Sequence, residues 1–246
     1  MTDLEKTNLL FFASEANENE VKKTQKPQFL PASLARKLAV EAFGTYALTY
    51  VVALGESGFI AGLILIALVY AFGHISGGHF NPAVSFASYI RGTCDMKTAA
   101  AYSLSQLTGA FVASGQRKFV LQDSKKISLE KVIPSVMDDV SVGSAFISEL
   151  TMTLIFVSVI LNVATTRAQA KNSFFGIAIG FSLAAAATAA GMSGSGGCLN
   201  PAIGIALPVV IAEKTEDIWI YILAPLLGGA LAAGLFRLTA DPSEFK

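Results

Sequence analysis

Two asparagines stand in one phrase that the chain uses twice. Residues 76–83 read Ser76-Gly77-Gly78-His79-Phe80-Asn81-Pro82-Ala83, and residues 195–202 read Ser195-Gly196-Gly197-Cys198-Leu199-Asn200-Pro201-Ala202, so six of eight positions recur at an offset of 119. An asparagine amide offers an acceptor oxygen and two N–H donors, and none of these titrates near neutral pH. Asn is a favoured helix N-cap, and Pro is favoured at the first helical position because its missing N–H needs no partner there. Asn81 and Asn200 therefore each start a helix with their oxygen and are expected to keep their NH2 donors free for a guest. That is the chemistry of hydrogen bonding to a neutral polar molecule. Bond-making chemistry is not indicated. No nucleophile–base pair, CxxC spacing, His/Cys/Asp/Glu metal cluster, phosphate loop or basic-aromatic nucleic-acid surface occurs in the sequence. No enzyme activity, metal, cofactor or nucleic-acid partner is expected.

Two carboxylates belong to the same pattern. Glu41 with Thr45 and Glu149 with Thr153 repeat a Glu-x-x-x-Thr spacing inside apolar stretches. A carboxylate at such depth needs a partner. One per half reads as a support that accepts N–H bonds from the irregular Gly-rich loop, in preference to a proton relay.

The elements that position these groups follow from charge spacing. The chain is 53% hydrophobic and 15% charged, with mean hydropathy +0.56 and zero formal charge. Between Glu41 and Arg91 only Glu56 is charged, and stretches such as Lys171 to Glu213 carry no charge at all. About 20 helical residues cross a hydrocarbon core of about 30 Å. Six spans are predicted, over 36–56, 59–78, 97–118, 142–165, 172–192 and 217–239. After each Asn-Pro-Ala runs a short apolar segment, Val84 to Ile90 and Ile203 to Ile211. Ten residues give about 15 Å of helix, half a membrane. Three spans per half invert the second copy relative to the first. The two half-helices then enter from opposite faces and meet N-terminus to N-terminus, each end carrying a partial charge of about +0.5. Such a point repels cations, and the backbone of Gly77, Gly78, His79, Gly196 and Cys198 is placed along a lumen, since irregular backbone at membrane depth is tolerated where it lines water or protein.

Residues 1–33 differ: polar, charged, with Pro27 and Pro31, they read as a disordered cytoplasmic tail. Within it Glu5 to Leu10 resembles an acidic dileucine sorting signal. The channel domain is placed at 34–240, with repeat one about 34–118 and repeat two about 142–240. Lys and Arg number twelve on the side of the termini and six on the other, which puts both termini in the cytoplasm.

These residues resemble the major intrinsic proteins, the aquaporin and aquaglyceroporin family, over roughly residues 34–240. The resemblance rests on His74-Ile75-Ser76-Gly77-Gly78-His79-Phe80-Asn81-Pro82-Ala83-Val84, the second Asn-Pro-Ala, both Glu-x-x-x-Thr marks, Gln106 and Pro225-x-x-Gly228. It implies an all-α membrane protein of six transmembrane helices plus two re-entrant half-helices, assembled as a homotetramer in a lipid bilayer, with a pore through each subunit. It also implies loop support from Glu41, Glu149 and His74. The filter departs from the family pattern. Arg usually follows the second Asn-Pro-Ala, and Ile203 stands there. The other positions are Ala61, Thr188 and Gly197, a wide and uncharged set nearest to plant tonoplast members. Family members blocked by mercurials often carry Cys where this chain has Gly197, and Cys198 is expected to turn toward protein. The resemblance implies passive permeation of water and small uncharged solutes such as glycerol, urea, ammonia or hydrogen peroxide. A strictly water-selective channel, an inverted-repeat secondary transporter and an adhesive membrane protein are the alternatives. The membrane implied is plasma or vacuolar/endosomal.

Overall fold

Three of the long helices start on short polar caps. Ser33 accepts the N–H of Arg36 and opens α1, Leu34–Ala53. Asp95 accepts the N–H of Thr98 at 2.7 Å, a bond that also holds its carboxyl below the usual range, and opens α4, Met96–Val120. Ser141 does the same for α5, Val142–Thr165. The remaining long helices are α2, Gly58–Ser76, α6, Phe175–Met192, and α8, Ile218–Thr239. Two short helices follow the repeated phrase: α3, Pro82–Arg91, and α7, Pro201–Ile211. The structure is a computed structural model that describes residues 32–55, 58–121, 133–211 and 215–245. The expected tail and its dileucine-like stretch lie outside the described residues, apart from Ala32 and Ser33.

Among the described residues the structure is helical, with no strand. Helix α2, α5, α6 and the stretch Thr215–Thr239 are long and apolar enough to cross a membrane. The six-span expectation is met in length by α1 and α4 too, at 20 and 25 residues, but hydropathy alone does not select them. The reason is visible in the burial pattern. Glu41, Gln106 and Arg117, which lower their hydropathy, are fully buried inside the bundle.

Packing follows the repeat. The most extensive helix pairs are α1 with α4, α5 with α8, and α2 with α6. Gly109 and Gly228, 119 apart, carry the first two. A Cβ on Gly109 would stand 2.0 Å from the Ala42 carbonyl oxygen, and one on Gly228 2.5 Å from that of Leu150. Ala42 and Leu150 each follow a buried glutamate, so the close approach brings α4 and α8 beside Glu41 and Glu149. Each half-helix lies on the last long helix of the other repeat: α3 on α8 and α7 on α4. Their small faces match as well. Ala110 of α4 clusters with Ala202 and Ala206, while Gly229 of α8, at the same offset, faces Ala83 and Ala87. Small residues let membrane helices approach closely.

Candidate functional site

The backbone just before each asparagine is where the site is made. Phe80 and Leu199 have φ of 49° and 51°, a left-handed conformation that side-chain-bearing residues rarely adopt and that costs about 1–3 kcal/mol. The buried glutamates hold them there. Glu41 Oε2 accepts the Phe80 N–H at 2.7 Å, and Glu149 Oε2 accepts the Leu199 N–H at 2.8 Å. Their other oxygens accept the N–H of His79 at 3.0 Å and of Cys198 at 2.9 Å, together with the hydroxyls of Ser76 and Ser195. Tyr102 and Tyr221, again 119 apart, donate to the carbonyls of Ser76 and Ser195 at 2.8 and 2.7 Å.

The left-handed turn aims two carbonyls across the molecule. Asn81 Nδ2 donates to the Leu199 carbonyl at 2.8 Å, and Asn200 Nδ2 donates to the Phe80 carbonyl at 3.0 Å. Each side-chain oxygen accepts from its own helix, at Ala83 N and Ala202 N. This corrects the expectation that the NH2 groups stay free. Each spends one hydrogen on the opposite half, and one remains. The two half-helices thus meet end to end through their caps, with Pro82 and Pro201 at their first positions and Ala83 and Ala202 buried.

Cavities open on both sides of this joint. One, of about 590 Å3, is lined by Asn81, Asn200 and all four filter positions, Ala61, Thr188, Gly197 and Ile203. The other, of about 420 Å3, is lined by Gly77, Gly78, Lys37, Cys94 and Thr165 among others. His79 lines both. Ser85 Oγ donates to the Asn81 carbonyl at 3.2 Å and stands 3.1 Å from His79 Nδ1. Gln106 Nε2 bridges Ser85 and Glu41 at 3.0 and 2.8 Å. At the matching positions of the second repeat stand Cys198, Gly204 and Pro225, so this polar chain exists in one half only. Cys198 turns its sulfur onto the Asn200 carbonyl at 3.2 Å and against Gly204.

The filter positions come from four elements. Ala61 is on α2, Thr188 on α6, Gly197 on the second loop and Ile203 on α7. Gly197 has φ +66°, and a Cβ there would lie 2.3 Å from the Ala187 carbonyl oxygen. The loop is pressed flat on α6 as a result. Gly196 lines the same cavity, with Ser135 and Pro134 packed on it.

Two features stand outside the sequence expectation. His74 is exposed in the last turn of α2 and makes no hydrogen bond to either loop, so it does not support them. Ser76, two residues on in the same turn, is buried on Glu41 instead, and helical residues two apart point to different faces. Residues 133–137 of the α4–α5 connection reach into the larger cavity. Ile133 is 4% exposed, and Met137 N donates to the Gly194 carbonyl at 3.0 Å. The tyrosine pair was findable by the 119 offset; Ile133 carries no local signal.

Comparison with known proteins agrees on one family description. The chain matches "Major intrinsic protein" over residues 7–236. It is 38% identical over 216 residues to "Glycerol uptake facilitator protein-like 6" of Lactiplantibacillus plantarum, covering 82% of this chain and 97% of that protein. It is 33% identical over 224 residues to "Nodulin-26" of Glycine max, covering 84% and 80%. Among solved structures it resembles the aquaglyceroporin from Plasmodium falciparum with a TM-score of 0.75 at 22% identity, covering 87% of this chain and 99% of that one. At that identity the likeness is one of fold.

Proposed function

The chain belongs to the major intrinsic protein family, and on that premise we propose that it is a passive, bidirectional channel for water and small uncharged solutes such as glycerol. The observation that carries this reading is the joint itself. Two helix N-termini and two amide NH2 groups face each other between cavities of about 590 and 420 Å3. A guest there presents its oxygen to the Asn81 and Asn200 donors, beside the His79 ring. The two positive helix ends disfavour cations at the same place. In this reading Ala61, Thr188, Gly197 and Ile203 form an uncharged constriction, and loop carbonyls supply the acceptors along the wall.

Glu41 and Glu149 argue against a coupled transporter. Glu41 accepts from four donors and Glu149 from three, and neither lines either of the two cavities, so both are engaged in holding the loops and face away from a permeating ion. The proposal extends to a homotetramer with both termini cytoplasmic, in a plasma or vacuolar/endosomal membrane. Stopped-flow light scattering on proteoliposomes tests the function. Water, glycerol and urea should each equilibrate faster than in empty vesicles, without saturation and without dependence on an ion gradient. Solute uptake that saturates and follows a proton or sodium gradient would overturn it.

A further inference from the structure

Each half-helix ends in a cation borrowed from the opposite repeat. Lys118 Nζ, in the last turn of α4, donates to the Val210 carbonyl at the end of α7 at 2.8 Å. Arg237, in the last turn of α8, donates to the Ile90 carbonyl at the end of α3 at 2.6 Å. Lys118 and Arg237 are 119 apart, and each lies eight residues beyond the small residue, Ala110 or Gly229, on which the same half-helix is seated. The C-termini of the flanking long helices are treated alike. Arg117 Nε donates to the Ala53 carbonyl at 2.8 Å, and Arg91 donates to that of Thr165 at 3.3 Å. Cations therefore sit on helix C-termini at both ends of the bundle. At the α3 end Arg91 is itself 3.5 Å from Glu244, and Arg237 bonds the half-helix carbonyl directly.

We infer that Lys118 and Arg237 are determinants of cation exclusion, acting through the two half-helices on the field at the Asn81–Asn200 joint. This rests on the channel reading above and adds a residue pair to it. A half-helix has a positive end at the joint and an equal negative end at its C-terminus. The negative end lowers the potential on the pore axis and so weakens the barrier. A full positive charge bonded to that end more than cancels it. The filter position where the family usually has arginine holds Ile203, so among the described residues no fixed cation lines the cavity on that side of the joint. The charges at the far ends then carry a larger share of the exclusion. Ten or eleven residues place each cation about 15 Å from the joint. At an effective dielectric of about 20, one charge at that distance changes cation passage roughly fivefold, ~1 kcal/mol, at low ionic strength, and less at about 0.1 M salt, where the Debye length is about 10 Å.

The test is the double variant Lys118→Gln, Arg237→Gln, in which the amide can still bond the carbonyl but the charge is gone. In proteoliposomes at about 0.01 M salt, where the Debye length is about 30 Å, proton and potassium leak should rise at least about fivefold while water flux stays within about twofold of wild type. The conservative pair Lys118→Arg, Arg237→Lys should keep the wild-type leak. An unchanged leak at preserved water flux overturns the inference. So does a loss of water flux in parallel with any leak, which would make the two cations mere fasteners of helix ends. Should the charge-free variant fail to insert, wild type decides. Both side chains are exposed, so raising an impermeant salt from 0.1 M to 1 M, which shortens the Debye length from about 10 Å to about 3 Å, should raise the proton leak. A leak indifferent to salt overturns it. Wild-type water flux is measured in every series, and its absence would condemn the channel reading instead.

Discussion

At the scale of single residues the joint depends on a conflict that is resolved locally. Phe80 and Leu199 are poor choices for a left-handed backbone, yet that turn is what aims their carbonyls at the opposite asparagine. Glu41 and Glu149 stabilise it through short N–H bonds to a buried carboxylate, each worth about 1.5–3 kcal/mol. The asparagines themselves do three things at once: cap a helix, bond the other half and offer one N–H to the lumen. Aspartate can do only the first. Replacing Asn200 by Asp removes the donor to the Phe80 carbonyl, sets two oxygens against each other, and places a negative charge on the positive helix end. Purified Asn200→Asp protein in vesicles should show water flux reduced several-fold and a measurable cation conductance. Asn81→Asp should behave alike, because Asn81 bonds the Leu199 carbonyl in the same way. Unchanged water flux with unchanged ion exclusion in both variants would mean that the lumen does not pass this joint.

At the scale of elements, stability rests on a few places where backbones nearly touch. Gly109 and Gly228 fix α4 against α1 and α8 against α5, and through them the seating of both glutamates. A methyl group at either would meet a carbonyl oxygen at 2.0 or 2.5 Å, so the helices must separate. Gly109→Ala or Gly228→Ala should lower stability by roughly 1–3 kcal/mol, the usual range for overpacking. Gly115 is the control. It lies on the same helix as Gly109, with nothing within 4 Å of an added Cβ. There alanine should be neutral or slightly stabilising, by up to about 1 kcal/mol. Thermal unfolding in detergent, followed by size-exclusion chromatography, separates the cases, and equal loss at Gly109 and Gly115 would refute the packing account. This layer was legible in part from sequence. The repeat offset of 119 pointed to Gly109 with Gly228, and spacing of charge set helix ends to within a few residues. The expected start at 172 for α6 against the observed Phe175, and the expected end at 56 for α1 against Ala53, show the limit. Charge spacing marks where a membrane can be crossed. Local backbone geometry, such as the tightened Gly55 N to Val52 O bond and the left-handed Gly55 at φ 87°, decides where a helix stops.

At the scale of the whole molecule, the chain is an inverted pair of three-helix units, each lending a half-helix to the other. The marks of that plan survive in sequence because function needs particular residues at both copies: Asn, Pro, Gly and Glu. The cross-bonds between halves do not survive as a pattern, since they run from a side chain to a carbonyl that any residue supplies. The α4–α5 connection was illegible for a related reason. Ile133 reaches the larger cavity only through the packing of residues 133–140 on Gly194 and Gly196. It matters for selectivity all the same. On the proposed filter, a missing arginine and an alanine at Ala61 favour a wide constriction, whereas Ile133, Met137 and the rim residue Met192 add apolar bulk to the same cavity. The proposed filter favours the first: Ala61 and Gly197 are small, and among the described residues no charged side chain lines the cavity. Met192 is 85% exposed and does not fill the gap left at Ile203. Solutes larger than water should therefore enter, with Thr188, backbone carbonyls and the asparagine amides as their polar partners. The double variant Ala61→Phe, Ile203→Arg restores bulk on one wall and fixed donors on the other. It should lose glycerol and urea flux by about tenfold or more while keeping water flux within about threefold. Wild-type protein that already rejects every solute but water would show that Ile133 and its neighbours close the constriction, and replacing Ile133 by Ala would then be expected to admit glycerol.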